Sequence, residues 1–180
     1  MDIDSQKKEL RRLVKQRKKE CSDEKKQAAS SLIFQQLELL PEFKEAQTVL
    51  LYWSMKDEVQ THDFALKWYQ DKKIILPIVE GDSLKLRVFT GMDCMVEGNV
   101  FGIMEPQNGP VAQISDIDLG IIPGIAFDKT GNRLGRGKAY YDKLLAAQHF
   151  PTIGVCFAFQ LFDNVPADSR DIPMDKVLFA

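Results

Sequence analysis

TVLLYW (48–53), HDFALKWYQD (62–71) and KIILPIV (73–79) follow one another along the chain, and their order decides the fold. The first and third are short apolar runs rich in branched residues, the composition of strands buried on both faces. The second places Phe64, Ala65 and Trp68 at helical spacing between polar residues, so the unit reads strand, helix, strand. Downstream, LKLRVF (84–89) alternates like a half-buried strand, and GMDCMVEGNVFGIMEPQNGP (91–110) carries turn formers without a sustained period, an irregular surface excursion. DLGIIPGIAFD (118–128) reads as a buried strand that leaves its sheet at a Pro-Gly turn; a glycine-rich loop, a helix near 139–149 and the strand TIGVCFAF (152–159) follow. Upstream, Leu10, Leu13, Val14 and Arg17 share helical spacing, Ser22 is a helix cap, Ala28, Ala29, Leu32, Ile33 and Leu37 continue a helical stripe, and Pro41 ends the region.

Helices alternating with strands imply an α/β fold: a single domain over residues 1–180 with an open, mostly parallel sheet and helices on both faces. In such sheets ligands sit outside the carboxyl ends of strands, and the loop after residue 122 falls there. The length suits one domain and the 44% hydrophobic content fills a core. With 24 Lys and Arg against 26 Asp and Glu, the net charge of −2 gives no general field for nucleic acid or anionic lipid, so any anion must be bound locally. The opening MDIDSQKKELRRLVKQRKKE has no apolar stretch of the kind a secretory signal or membrane span needs, and the expected location is cytoplasmic. Cys21, Cys94 and Cys156 form no CxxC pair and have only His62 and His149 as imidazole partners, so they read as small apolar fillers rather than as zinc ligands or disulfides.

The densest chemical signal is FDKTGNRLGRGKAYYDKLL (127–145), where Gly131, Gly135 and Gly137 interleave with Arg133, Arg136 and Lys138 ahead of Tyr140, Tyr141 and Asp142. Glycines let backbone N–H groups approach a polyanion, a helix start adds its positive end, and Arg and Lys supply charge. The spacing is not that of a Walker A loop, because five residues separate Gly131 from Gly137 and Ala139 stands where Ser or Thr would hold magnesium. Nor is it GxGxxG, since Tyr140 takes the last glycine position. On composition alone the loop supports phosphate or nucleotide binding, against the alternative of a basic turn before a helix.

The run PGIAFDKTGNRLGRGKAYYD (123–142) resembles the signature of the 5-formyltetrahydrofolate cyclo-ligase family, and KKELR (7–11), MKDEVQT (55–61), FGIMEP (101–106) and IPMDKVL (172–178) match it in order across nearly the whole chain. The resemblance implies an ATP-dependent enzyme with Mg2+ as metal, converting 5-formyltetrahydrofolate to 5,10-methenyltetrahydrofolate. It places Lys7, Lys8 and Arg11 in the ATP site together with Arg133, Leu134, Gly135, Arg136, Gly137, Lys138, Ala139, Tyr140 and Tyr141. It places Trp53 and Glu58 against the folate, with Arg136, Gly137, Lys138, Ala139 and Tyr140 bordering the formyl end, and implies Asp142 and Asp175 as metal ligands. Many members carry glycine where this chain has Ala139, which a left-handed backbone would penalise and a helical one would not.

The implied reaction passes the γ-phosphoryl of ATP to the formyl oxygen, after which N10 attacks the formyl carbon and phosphate leaves. It needs no protein nucleophile, in keeping with the lack of a Ser-His or Cys-His signature near the loop. Arg136, Lys138 and Tyr140 are the expected catalytic residues, while His62 and His149 read as packing or surface residues. The expected partners are the two small-molecule substrates, with no nucleic acid or membrane, on a monomer or weak dimer. Two other readings compete: a folate or nucleotide binder without turnover, and a sugar-phosphate isomerase on a related sheet.

Overall fold

The computed structural model describes residues 2–98 and 102–180. In chain order it contains α1 (Ile3–Glu20), α2 (Asp23–Leu39), α3 (Pro41–Glu45), β1 (Thr48–Leu50), α4 (His62–Trp68), β2 (Lys73–Glu80), β3 (Ser83–Val88), β4 (Val96–Glu97), β5 (Met104–Glu105), β6 (Val111–Ala112), β7 (Leu119–Pro123), β8 (Ala126–Asp128), β9 (Arg133–Leu134), α5 (Tyr140–Leu145), β10 (Thr152–Cys156), β11 (Leu161–Phe162) and β12 (Lys176–Phe179). Seven strands make one sheet in the order β12-β10-β7-β1-β2-β3-β6. Neighbours from β12 to β2 run parallel, and β3 and β6 extend the sheet antiparallel. The α/β, mostly parallel architecture expected from the sequence is therefore observed.

Alternation along the strands sorts the core into two layers. Val49, Leu51, Ile74, Leu76, Leu119, Ile121, Ile153 and Val155 face α2, α3 and α4 through Ile33, Leu37, Phe43 and Phe64. Leu50, Ile75, Ile122 and Cys156 face the other way, against Leu145 of α5, Phe127 and Phe150. Burying each such large side chain contributes roughly 1.5–3 kcal/mol. That burial sustains α3 and α4, five and seven residues long, because helices so short are marginal alone. Burial also pushes the Cys156 thiol up to about 12, which suits a filler and not a nucleophile.

Ser22 caps α2 as expected, accepting from the Lys25 N–H. Pro41 does not end the helical region; it opens α3 as its first residue, where its missing N–H has no intrahelical role. The helix expected near 139–149 stops at Leu145. Phe150 must turn inward to pack on Gly120, where an added Cβ would lie 2.8 Å from its ring, and a continuing helix would carry it away. The excursion at 91–110 contains a 3-10 turn (Met92–Cys94) and the β4-β5 hairpin; residues 99–101, including Phe101 of the FGIMEP match, lie outside the described residues.

A second sheet, β11-β8-β9, follows from the break after Pro123. Helix α1 lies on it, with Val14 buried among Ala126, Leu134 and Val165. Beside it, β1 connects to β2 through α4 on one face, while β7 connects to β10 through α5 on the other. The chain therefore diverges after two adjacent parallel strands, which opens a crevice outside their carboxyl ends.

Candidate active site

The crevice encloses about 900 Å³ including its open mouth. Tyr52 and Trp53 enter it from the end of β1, Pro123 and Gly124 from the end of β7, and Pro77, Val79 and Leu84 from the β2-β3 ribbon. Ile103, Met104 and Glu105 add to that apolar wall, and the glycine loop supplies Arg133, Gly135, Arg136, Lys138, Ala139, Tyr140, Tyr141 and Asp142.

The segment after β1 is closed by reciprocal hydrogen bonds. Ser54 N–H donates to Thr61 Oγ1 at 3.1 Å and Thr61 N–H to Ser54 Oγ at 3.0 Å, while Thr61 Oγ1 donates to Tyr52 O at 2.5 Å. The Met55 N–H donates to Glu58 Oε2 at 2.9 Å, fixing that carboxylate at the cleft. Trp53 stacks on His62 with ring centroids 3.9 Å apart and planes 11° from parallel. Burial lowers the His62 pKa, so the imidazole is neutral near pH 7 and acts as the backing of the indole. The expectation that His62 packs is met, at a place that bears on the site.

The loop on the other side is built on Asp128. Its Oδ1 accepts from Thr130 N, Thr130 Oγ1 and Asn132 N at 2.7–3.0 Å, and its Oδ2 from Asn132 Nδ2 and Val165 N at 3.0 and 2.9 Å. Burial alone would raise the Asp128 carboxyl, but these donors outweigh it and hold the pKa below the ordinary value. Gly131 sits at φ +92°, and a Cβ there would lie 2.0 Å from Met174 O, so only glycine fits between the hairpin and the approach to β12. Arg133 is buried, with Nη2 on Asp142 Oδ1 at 2.9 Å, Nη1 on Pro123 O at 3.3 Å and its guanidinium over the Tyr141 ring at 5.6 Å. Arg11 reaches across from α1 and donates through Nε to Gly135 O at 2.9 Å. Ala139 has φ 54° and ψ 20°, the one non-glycine residue at positive φ among those described. The swap from the glycine common in the resembling family therefore falls at a left-handed position.

Arg136 spans the mouth. Its Nη2 lies 3.1 Å from Asp57 Oδ1 and 3.0 Å from Glu58 Oε1, and Lys18 Nζ reaches the other Asp57 oxygen at 2.8 Å. Burial would raise the Asp57 carboxyl, but the two cations prevail and lower it. The Tyr141 phenol is pushed above its ordinary pKa by burial first and by the negative charge of Glu58 second. The Tyr140 hydroxyl, at the edge of the cleft, donates to Gly81 O at 3.3 Å.

Of the residues singled out from the sequence, Trp53, Glu58, Arg133, Gly135, Arg136, Lys138, Ala139, Tyr140, Tyr141 and Asp142 line one cleft. Leu134 is buried beneath the loop against Val14, and Gly137 is exposed at its tip beside Arg11. Lys7 and Arg11 share a helix face, but Lys7 is buried in an ion pair with Asp168 and Asp171, at 3.0 and 2.5 Å, and Lys8 is exposed. Asp175 is not brought to the cleft: its Oδ2 accepts from Thr152 N and Oγ1 at 2.8 and 2.9 Å. Those bonds tie the approach to β12 to the amino end of β10, opposite the end where Pro123 and Gly124 open the site. Sequence reading missed Asp128, whose D-x-T-x-N spacing is that of a side chain turning back on its own backbone. It also missed the apolar wall from Pro77 to Glu105, for which no local signal exists.

For Mg2+, the described residues contain no cluster of three or more His, Cys, Asp or Glu side chains able to hold a metal. Asp142 nonetheless fits a magnesium site, because Mg2+ commonly takes one or two carboxylates and completes its shell with phosphate and water. Its Oδ1 is engaged by Arg133 and, at 3.4 Å, by the Ile172 N–H, and it lines the cleft. No helix of the described residues is long and apolar enough to cross a membrane.

Residues 3–180 match the model of the 5-formyltetrahydrofolate cyclo-ligase family. A mouse 5-formyltetrahydrofolate cyclo-ligase is 30% identical over 98% of this chain and 95% of its own, and one from Haemophilus influenzae is 32% identical over 84% and 85%. The solved structure of Aquifex aeolicus 5,10-methenyltetrahydrofolate synthetase superposes with a TM-score of 0.87 at 38% identity, covering 96% of this chain and 89% of that one. The Mycoplasma pneumoniae synthetase superposes with a TM-score of 0.75 at 26% identity, covering 99% and 98%. A match over almost every residue, joined to a cleft that gathers the glycine loop and Glu58 at one switch point, makes this chain a member of the 5-formyltetrahydrofolate cyclo-ligase family.

Proposed function

We propose that the chain, acting as one domain, converts 5-formyltetrahydrofolate to 5,10-methenyltetrahydrofolate with ATP as phosphoryl donor and Mg2+ as metal. The observation that carries this reading is the meeting of two chemistries in one cleft: Glu58 and Trp53 on the β1 side, and the cationic loop from Arg133 to Asp142 on the β7 side. A flat heteroaromatic ring suits the Trp53 side, and its N–H donors suit a carboxylate. A polyphosphate suits the loop, where backbone N–H groups, Arg136 and Lys138 are available to anionic oxygens. Lys138 is exposed at the lip, free to approach a transferring phosphoryl group, and neutralises its charge. Arg136 moves between its carboxylate partners and phosphate, so substrate entry exchanges one ion pair for another. Mg2+ would be held by Asp142 and would supply charge neutralisation on phosphate oxygens. Arg133 orients that carboxylate from behind.

The transfer releases ADP and leaves the formyl oxygen as part of a phosphate leaving group; N10 forms the new C–N bond and gives up its proton to solvent, and phosphate departs with that oxygen. Positioning and electrostatics suffice for these steps. The test is the ultraviolet absorbance of the methenyl product, with purified protein, 5-formyltetrahydrofolate and Mg2+, with and without ATP. Growth only with ATP supports the reading. Folate binding without growth would leave a binder that does not turn over.

A further inference from the structure

Glu105 is a carboxylate in the cleft for which the reaction above has no use. The residue is only 5% exposed, it lines the apolar wall with Pro77, Val79 and Met104, and none of the described residues supplies it a cation. Its Oε1 accepts from the Val79 N–H at 3.0 Å and its Oε2 from Gln107 Nε2 at 3.3 Å. The Val79 bond has a structural reason. Beyond Ile75, no strand of the described residues pairs with β2 on its β1 side, and the Val79 N–H on that edge is satisfied by the Glu105 side chain, which docks β5. The site is shaped around this carboxylate: a Cβ on Gly98 would lie 2.6 Å from Glu105 Cδ and Oε2.

Among the described residues, one backbone donor and one long amide contact leave this carboxylate with unused acceptor capacity, since two oxygens offer about four lone-pair positions. An anionic group held out of water without a cation is costly unless further donors reach it. The other carboxylates of the cleft already have cations, Glu58 in Arg136 and Asp142 in Arg133. We propose that Glu105 is a second substrate-binding carboxylate, which accepts N–H donors of the folate's pterin ring and so sets its orientation against the Trp53 side. The proposal rests on the folate reading of the cleft and extends it by one residue.

Glutamine separates this role from a structural one, because Glu105→Gln keeps a carbonyl oxygen for the Val79 N–H and nearly the same volume. It replaces the second acceptor by a donor that would face the ring's own donors. The dissociation constant for 5-formyltetrahydrofolate is measured by calorimetry without ATP, together with KM and kcat in the absorbance assay. The expected result is a rise of at least tenfold in dissociation constant and KM, kcat at saturation within about threefold, and an unchanged Tm. A variant that binds folate as the wild type does limits Glu105 to docking β5 and overturns the proposal. A second arm does not depend on that variant folding. In Glu58→Gln, the natural substrate is compared with its analogue lacking the 2-amino group. A remaining preference for the natural compound of about tenfold is the contribution expected of Glu105, and equal binding of the two overturns it. A wild-type protein that binds no 5-formyltetrahydrofolate would instead bring down the folate reading, and this proposal with it.

Discussion

Ala139→Gly is expected to stabilise the protein, against the usual rule that glycine next to a helix start weakens it. Ala139 sits at φ 54° and ψ 20°, caps α5 without a side-chain hydrogen bond, and gives its carbonyl to the Lys143 N–H at 3.0 Å. An L-residue with a Cβ in this region costs roughly 1–2 kcal/mol relative to glycine. Glycine gives back about 0.4–1 kcal/mol of that through the greater freedom of the unfolded chain. The net gain is about 0.5–1 kcal/mol, and at 2–4 °C per kcal/mol for a chain of this size Tm should rise by roughly 1–4 °C. The methyl group is exposed, so its removal opens no cavity that would cancel the gain. Calorimetry or circular-dichroism melts of a series at this position test the reasoning. Glycine should be most stable, asparagine next because it tolerates the left-handed region, alanine below them, and valine lowest because branching at Cβ aggravates the clash. Were residue 139 helical instead, glycine would lower stability by about 0.5–1 kcal/mol. A lower Tm for Ala139→Gly would therefore refute the left-handed assignment and the strain drawn from it.

Lys138→Ala should lower kcat by about a hundredfold, the usual effect of removing one preorganised donor to a transferring group, with folate affinity within threefold; unchanged turnover in the absorbance assay would remove Lys138 from the chemical step. Gly131→Ala should cost more than about 3 kcal/mol, or prevent folding, because the new Cβ would meet Met174 O at 2.0 Å at a φ of +92°; a urea midpoint like that of the wild type would contradict the close approach. Asp128→Asn should cost about 2–4 kcal/mol, since an amide turns one acceptor into a donor facing the Thr130, Asn132 and Val165 groups. The Asp128 carboxyl is lowered in the folded protein, so its contribution is complete above the unfolded pKa of about 3.9 and fades as pH falls from there through the folded value. Urea melts at steps from pH 6 to pH 3 should accordingly show a shallower acid loss in Asp128→Asn than in the wild type, and parallel losses would assign the acid sensitivity elsewhere.

Those predictions divide along the line between what a sequence can and cannot carry. The strands were legible because TVLLYW and KIILPIV are apolar on both faces, and the parallel order follows once a helix intervenes. The turn at Asp128 uses donors two and four residues away, so its pattern was present in the letters. The Arg136 contacts with Asp57 and Glu58 join residues 79 and 78 positions apart, and the Lys7 contacts span 161 and 164. Neither pairing has a local trace. Composition alone suggests free basic groups on both segments, whereas folding has already given Lys7 and Arg136 carboxylate partners. Asp175 is the converse case. A carboxylate near the chain end suggested a metal ligand by resemblance, yet two donors of Thr152 hold it at the far end of β10.

The distinction matters for how the loop acts, because its geometry and its charge are secured by different means. Geometry comes from short-range features: the Asp128 turn, Gly131 against Met174, and the left-handed steps at Gly137 and Ala139. These are in place before any ligand arrives, so backbone donors need little reordering to meet an anion. Charge sits on the loop itself but is governed from afar, because Arg136 is paired in the free protein with Asp57 and Glu58. On the function proposed above, a polyphosphate that recruits Arg136 displaces both carboxylates, and Glu58 is freed on the side proposed for the folate. Binding on one side then improves the acceptor available on the other, with no movement of the sheet required. The coupling runs through a single guanidinium, so Arg136→Ala should remove it by leaving Glu58 open at all times. Folate binding to that variant, measured by calorimetry with and without a nonhydrolysable ATP analogue, should be independent of nucleotide, whereas the wild type should bind folate more tightly when nucleotide is present. A nucleotide effect that survives the substitution would route the coupling elsewhere.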